Sequence, residues 1–115
     1  MSTAGGGAPG GPITPAVRPG WTFLTNHAHV MVALTRDPQM RMRDLAALVG
    51  ITERATQRIV GELVEHGYLE RERVGRRNSY RINLDLPLRH PLEGHHSLRQ
   101  LLSSLAQPMP PPREG

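Results

Sequence analysis

The sequence contains no cysteine and no lysine. Without cysteine there are no disulfide cross-links, thiolate metal ligands or cysteine nucleophiles, and the composition is compatible with a reducing compartment. No apolar run approaches the roughly 20 residues that a membrane-spanning helix requires, and no basic, apolar leader of the secretory type begins the chain. We therefore expect a cytoplasmic protein with no membrane partner.

Patterns associated with catalysis are also missing. The sequence has no Ser/His/Asp order typical of a catalytic triad and no pair of carboxylates at positions that a fold would bring together in an active site. The glycine-rich stretch at residues 5–11 has no strand before it and no lysine after it, so it is not a phosphate-binding loop. We expect a protein that is not an enzyme and that uses no cofactor.

The positive charge of the chain is carried entirely by arginine. All 14 basic side chains are Arg, and the net charge is +4. The planar guanidinium matches phosphate oxygens and guanine edges better than an ammonium does, which favours a nucleic-acid partner. A GC-rich genome would also encode such an arginine-, alanine- and glycine-rich sequence, so the composition alone leaves both explanations open.

Composition divides the chain into four segments. Residues 1–20 and 107–115 are rich in glycine or proline and bury too little apolar surface to offset the entropy of ordering, so we expect a disordered arm and a disordered tail. Residues 21–92 are expected to fold as the main domain. Residues 93–106 contain an amphipathic stretch with leucines at i, i+3, i+4 and i+7, which predicts a C-terminal helix.

Hydrophobic periodicity predicts the order helix, short strand, helix, helix, strand, strand, and then the C-terminal helix. This is a mainly α fold with a β-hairpin wing, the winged helix-turn-helix. The first helix begins at Thr25 or Asn26 and stops at Asp37. The remaining predictions are a short strand at 40–43, helices at 44–49 and 53–66, strands at 68–74 and 79–84 joined by a turn at 75–78, and a capping box at Ser97 and Gln100.

The stretch from Met42 to His66 has the spacing of a helix-turn-helix motif. Two closely crossing helices need a small residue in the first helix and a turn residue that tolerates positive φ, and Ala46 and Gly50 meet these needs. One position departs from the usual pattern, because Thr56 stands where a β-branched hydrocarbon is common. We expect its hydroxyl to bond a carbonyl one turn back.

The third helix has two different faces at about 100° per residue. Thr56, Ile59, Val60 and Leu63 share the face that must point into the core. The opposite face carries Arg54, Gln57, Arg58 and Gly61, and arginine and glutamine can bond the edges of guanine and adenine. We predict a recognition helix at 53–66 for the major groove; the alternative is an ordinary solvated face.

The hairpin carries a second group of arginines around a glycine-bearing turn. A wing at residues 74–79 could lie along the DNA backbone or enter the minor groove, whereas the alternative is an edge strand defended by charge against aggregation. Leu69 and Val74 fall on opposite faces of the first strand, and a bulge at 71–73 would reconcile them. The complete set of predicted DNA-binding residues is Arg43, Thr52, Arg54, Gln57, Arg58, Arg73, Arg76, Arg77 and Asn78.

The phrase GYLERERVGRRNSYRI, placed after ITERATQRIVGELVEH, resembles the winged-helix regulators of the MarR-like and ArsR-like families over roughly residues 24–84. The resemblance implies a bacterial transcriptional regulator that binds double-stranded DNA as a homodimer on a two-fold operator, often with release by a small effector. The chain is shorter than most MarR-type proteins, and it lacks the cysteines of many ArsR-type metal sensors.

Three alternatives remain open at this stage. The winged helix could serve protein contact without DNA, because a fold does not fix its function. His90, Glu93, His95 and His96 could form a loop-built metal site in a metal-responsive regulator. The C-terminal leucines could form a dimer interface or pack on their own domain.

Overall fold

The computed structural model describes residues 20–105, and the arm and tail predicted at the chain ends lie outside this range apart from Gly20. The elements in chain order are α1 (Asn26–Arg36), α2 (Met42–Val49), α3 (Glu53–Glu65), β1 (Leu69–Val74), β2 (Arg77–Ile82) and α4 (Leu98–Leu105). Helices followed by an antiparallel hairpin in this order form a winged helix, which confirms the predicted fold class. Within residues 20–105 no helix is long and apolar enough to cross a membrane.

Threonine caps and left-handed glycines define the ends of the helices, as predicted. The hydroxyls of Thr25 and Thr52 each accept a hydrogen bond from the backbone N–H three residues later, at 3.3 and 3.0 Å. These bonds satisfy amides that have no partner inside the helix. Gly50 ends α2 at φ 91° and Gly67 follows α3 at φ 85°, a region that favours glycine over all other residues.

The short strand predicted at residues 40–43 is wrong. α2 begins at Met42, two residues before the predicted start, and Arg41 is its N-cap without a side-chain hydrogen bond. The chain just before α2 runs past β2, where the Tyr80 N–H donates to the Pro38 carbonyl at 2.9 Å. An apolar–basic alternation over four residues does not distinguish a strand from the first turn of a helix.

The core lies where α1, α2 and α3 pack on one another and α3 packs on β1. The predicted inward face of α3 is confirmed, because its four residues are the buried ones of that helix. Thr56 is fully buried, and its hydroxyl donates to the Thr52 carbonyl at 2.9 Å, as expected. With Ile59, Val60 and Leu63 of α3, the apolar core of the three helices includes Val30, Met31, Leu34 and Leu45.

The hairpin is tighter than predicted. Six consecutive antiparallel pairs run from Leu69–Ile82 to Val74–Arg77, which leaves Gly75 and Arg76 as a two-residue turn. The four-residue turn predicted at 75–78 is therefore wrong, and Arg77 belongs to β2. Gly75 has φ 62°, which suits the first position of a two-residue hairpin turn.

The bulge considered for residues 71–73 is also absent from this hairpin, since its register is continuous. Leu69 is buried against the core, whereas Val74 is 46% exposed at the tip. The two residues need not share a face because β1 leaves the core after its first residue and projects into solvent.

The C-terminal helix α4 folds back on its own domain. The predicted capping box is confirmed: Gln100 N–H donates to the Ser97 hydroxyl at 3.3 Å, and Ser97 N–H donates to the Gln100 side-chain oxygen at 2.9 Å. Leu98 and Leu102 are buried, and α4 contacts α1. The helix itself starts at Leu98, so the first residues of the predicted segment 93–106 form turns instead.

Leu102→Ala tests this packing. Removing a side chain that is only 2% exposed should leave a cavity and lower the free energy of unfolding by about 2–5 kcal/mol. Ser103→Ala, on the exposed side of α4, is the control and should change it by less than about 0.5 kcal/mol. Urea denaturation measures both, and equal small effects would contradict the fold-back of α4.

Candidate nucleic-acid interface

The outward face of α3 is exposed as predicted. Arg54, Gln57 and Arg58 are exposed, while the residues between them on the other side of the helix are buried. The N-cap Thr52 places Arg54 in the first turn, near the positive end of the helix. The face therefore presents planar hydrogen-bonding groups over about one turn, near the end of the helix that commonly reaches base edges.

Gly61 lies in the middle of this face by helical geometry. A methyl group built at Gly61 would meet no atom of the domain within 4 Å, so internal packing does not require glycine there. Glycine inside a helix costs about 0.5–1 kcal/mol relative to alanine. The protein thus keeps a destabilising residue on the face that carries Arg54 and Gln57.

Arg58 is not free on this face. Its guanidinium lies 3.3 Å from one carboxylate oxygen of Glu62, and the other oxygen lies 2.7 Å from Nε2 of His27 in α1. The hydrogen bond with His27 lowers the pKa of the Glu62 carboxyl below its usual value, and the charge of Arg58 acts in the same direction. The i,i+4 spacing of Arg58 and Glu62 could have indicated the first contact from sequence; nothing local indicated the second.

Arg43 and Thr52 occupy two different environments. Arg43 is exposed in the first turn of α2, where no hydrogen bond or ion pair with the described residues holds its side chain. Thr52 is exposed, but its hydroxyl already accepts the amide of Ala55. A phosphate bound at Thr52 would therefore contact a hydroxyl that already accepts the capping hydrogen bond of α3.

The wing has one face without carboxylates and one face with them. Arg71 pairs with Tyr80 across the strands, its guanidinium carbon 5.8 Å from the ring centre, and Arg73 pairs with Asn78. On the other face Glu70 forms an ion pair with Arg81, and Glu72 is its neighbour two residues on. Arg71 and Arg73 therefore lie on the face without carboxylates, whereas Arg77 lies on the face of Glu70 and Glu72, and Arg76 lies in the turn.

The tip of the wing bends back toward the start of α2. Arg77 donates from its guanidinium to the Gln39 carbonyl at 2.8 Å, and Arg73 donates to the Gly75 carbonyl at 3.3 Å. Arg76, Arg77 and Asn78 line a small cleft of about 410 Å³ together with Arg41. Arg41 was not among the residues predicted from the sequence, although Arg43 in the same short segment was.

Six of the predicted site residues form two groups, and Arg43, Thr52 and Arg73 belong to neither. Arg54, Gln57 and Arg58 share the face of α3, and Arg76, Arg77 and Asn78 share the cleft beside Arg41; within residues 20–105 no hydrogen bond or ion pair joins one group to the other. In the same range, no group of three or more His, Asp or Glu side chains is placed to hold a metal ion.

Part of the chain is similar to proteins of a known family. The model of the MarR family matches residues 22–77, which run from just before α1 to the first residue of β2. Among solved structures, the chain is similar to the zinc-dependent MarR family transcriptional regulator AdcR in its Zn(II)-bound state, with 22% identity and a TM-score of 0.42. That match covers 64% of this chain and 49% of the other, so the chain spans about half the length of that regulator. No curated protein matches the chain.

Substituting the two glycines of the interface should shift stability in opposite directions. Gly61→Ala should raise the free energy of unfolding by about 0.5–1 kcal/mol, because it improves helix propensity and meets no atom. Gly75→Ala should lower it by about 1–2 kcal/mol, because φ 62° is unfavourable for alanine. Urea denaturation measures both, and a destabilised Gly61→Ala variant would show that the glycine is needed for folding.

Proposed function

The chain carries a MarR-like winged helix, and we propose that it is a transcriptional regulator that binds double-stranded DNA sequence-specifically. α3 lies in the major groove, and the wing lies on the backbone or in the minor groove. The observation that carries the proposal is the exposed face of α3, where arginine and glutamine flank a glycine with no packing role in the domain.

The chemistry of the α3 face suits base edges. Arg54 can donate two hydrogen bonds to O6 and N7 of guanine, and Gln57 can bond N6 and N7 of adenine. Gly61 leaves room for the helix to approach the DNA backbone closely. Arg58 contributes less than Arg54 while Glu62 holds it.

The remaining residues position the protein on phosphates. Arg73, Arg76, Arg77 and Asn78 supply the wing contacts, and Arg43 and Thr52 supply contacts from the start of α2 and α3. Such contacts provide affinity and register without sequence information. They also make binding depend on salt, because each neutralised phosphate releases counterions.

We further propose that the protein acts in the cytoplasm as a homodimer on a two-fold operator. MarR-like regulators typically have this arrangement. Leu98 and Leu102 are buried in their own domain, which favours a main contact between copies outside the leucine face of α4.

The second candidate is a winged helix that contacts protein instead of DNA. Selection of duplexes from a random pool with the full chain, at stated salt, separates the two functions. Recovery of a palindrome supports the DNA-binding dimer. Recovery of no enriched sequence contradicts sequence-specific binding and favours the protein-contact function.

Loss of a base contact and loss of a phosphate contact should change different properties of binding to the selected duplex, namely base preference in the first case and salt dependence in the second. Arg54→Ala should cost about 1–3 kcal/mol and relax the preference at one base pair, whereas Arg76→Ala should weaken all duplexes alike and reduce the salt slope by about 1. Arg36→Ala, in the last turn of α1, removes the same charge as a control. The wing assignment is wrong if Arg76→Ala leaves both affinity and salt slope at the wild-type values.

Gly61→Ala should weaken duplex binding although it stabilises the fold. A methyl group between the helix and the DNA backbone should reduce affinity about tenfold, the usual scale for a tightly packed contact. Fluorescence anisotropy with the selected duplex measures this. Unchanged affinity would place Gly61 away from the DNA.

A further inference from the structure

A cleft separate from the predicted DNA-binding residues opens between the start of α1, the end of α3 and the segment that leads into α4. Its volume is about 720 Å³. This lies within the range of about 300–1,000 Å³ that is usual for small-molecule sites. We call it the α1–α3 cleft; its walls come from residues 23–31, 62–68 and 88–101.

The floor of the α1–α3 cleft is apolar. Met31 and Leu63 are buried core residues that also line it, so the cleft reaches the hydrophobic core. At its mouth Phe23 is 91% exposed and Leu92 is 80% exposed. Such exposed apolar side chains often mark a binding surface. A ligand that covers them removes apolar area from water, which lowers the free energy of the complex.

Among the Asp, Glu and Arg side chains that line the cleft, the acidic ones outnumber the basic. Glu62, Glu65 and Glu93 line it, and the one arginine on its walls is Arg89. Among the described residues, no ion-pair partner is found for Glu65 or Glu93, whereas Glu62 is paired with His27 and Arg58. The hydrogen bond with His27 lowers the pKa of the Glu62 carboxyl, which favours its ionised form. Together these charges favour a cation and oppose an anion.

We propose that the α1–α3 cleft binds a small organic cation with an apolar body, and that Glu62 transmits its presence to the recognition helix. An apolar floor suits the body of such a ligand, and carboxylates at one side suit an amine or amidinium group. The volume exceeds what a bare ion needs. His27, His66 and His96 also line the walls and offer ring faces and nitrogens to the ligand.

Glu62 can link cation binding in the cleft to the α3 face because its two carboxylate oxygens have different partners. One side of Glu62 faces the cleft beside His27, and Oε2 lies 3.3 Å from Arg58 on the α3 face. A cation in the cleft offsets the negative charge that otherwise weakens the attraction of Arg58 for phosphate. Binding of the cation therefore strengthens duplex binding, and by linkage the duplex strengthens cation binding by the same factor. This second half depends on the proposed DNA-binding function, whereas the binding site does not.

Three probes of matched shape test the site: 2-naphthamidine, the neutral 2-naphthamide and the anionic 2-naphthoate. Calorimetry with the full chain should show the amidine binding about tenfold or more tightly than the amide, and the naphthoate most weakly of the three. Glu93→Gln should weaken amidine binding, while Glu72→Gln on the wing should not. Equal binding of the three probes, or no binding, overturns the site.

Anisotropy with the selected duplex tests the transmission. Saturating 2-naphthamidine should raise duplex affinity severalfold in the wild type. Glu62→Gln should show raised affinity without the probe and no further response to it, with circular dichroism confirming its fold. If the amidine binds but duplex affinity does not change, the transmission is overturned and the site stands. If no duplex binds under any condition, the proposed function fails while the calorimetric result still decides the site.

Discussion

Burial of one face of α3 is the constraint on which the rest of the structure depends. Ile59, Val60 and Leu63 pack under α1 and α2, and the Thr56 hydroxyl is satisfied by the carbonyl one turn back. Because this face is closed, the opposite face must point to solvent together with its arginines. The hydrophobic effect thus orients the interface, although none of the interface residues takes part in the core.

Ion pairs within the domain then determine which arginine side chains have no carboxylate partner and are available to contact a ligand. Arg58, Arg81 and Arg99 each have a carboxylate partner, and such exposed pairs add little to stability. Their effect is mainly on the pattern of charge. On the wing, Arg71 and Arg73 lie on the face opposite the Glu70–Arg81 pair, and on α3 the exposed Arg54 has no ion-pair partner among the described residues.

Much of the fold could be predicted because its signals are local. The caps at Thr25 and Thr52, the left-handed Gly50 and Gly67 and the two faces of α3 all follow from spacing over a few residues. The errors arose where local signals were weak. Four residues at 40–43 were too few to separate strand from helix, and the alternation in β1 could not show that only Leu69 reaches the core.

The order of the helices and of the two hairpin strands, the inward and outward faces of α3 and the exposure of Arg54, Gln57 and Arg58 follow from the chain's own pattern, because each depends on nearby residues in the sequence. The contacts that span the chain were decided by packing. His27 meets Glu62 across 35 residues, and Arg77 meets the Gln39 carbonyl across 38. The α1–α3 cleft likewise joins three distant segments. The periodicity of the sequence does not predict these long-range contacts, because they depend on how the helices cross once their apolar faces are buried.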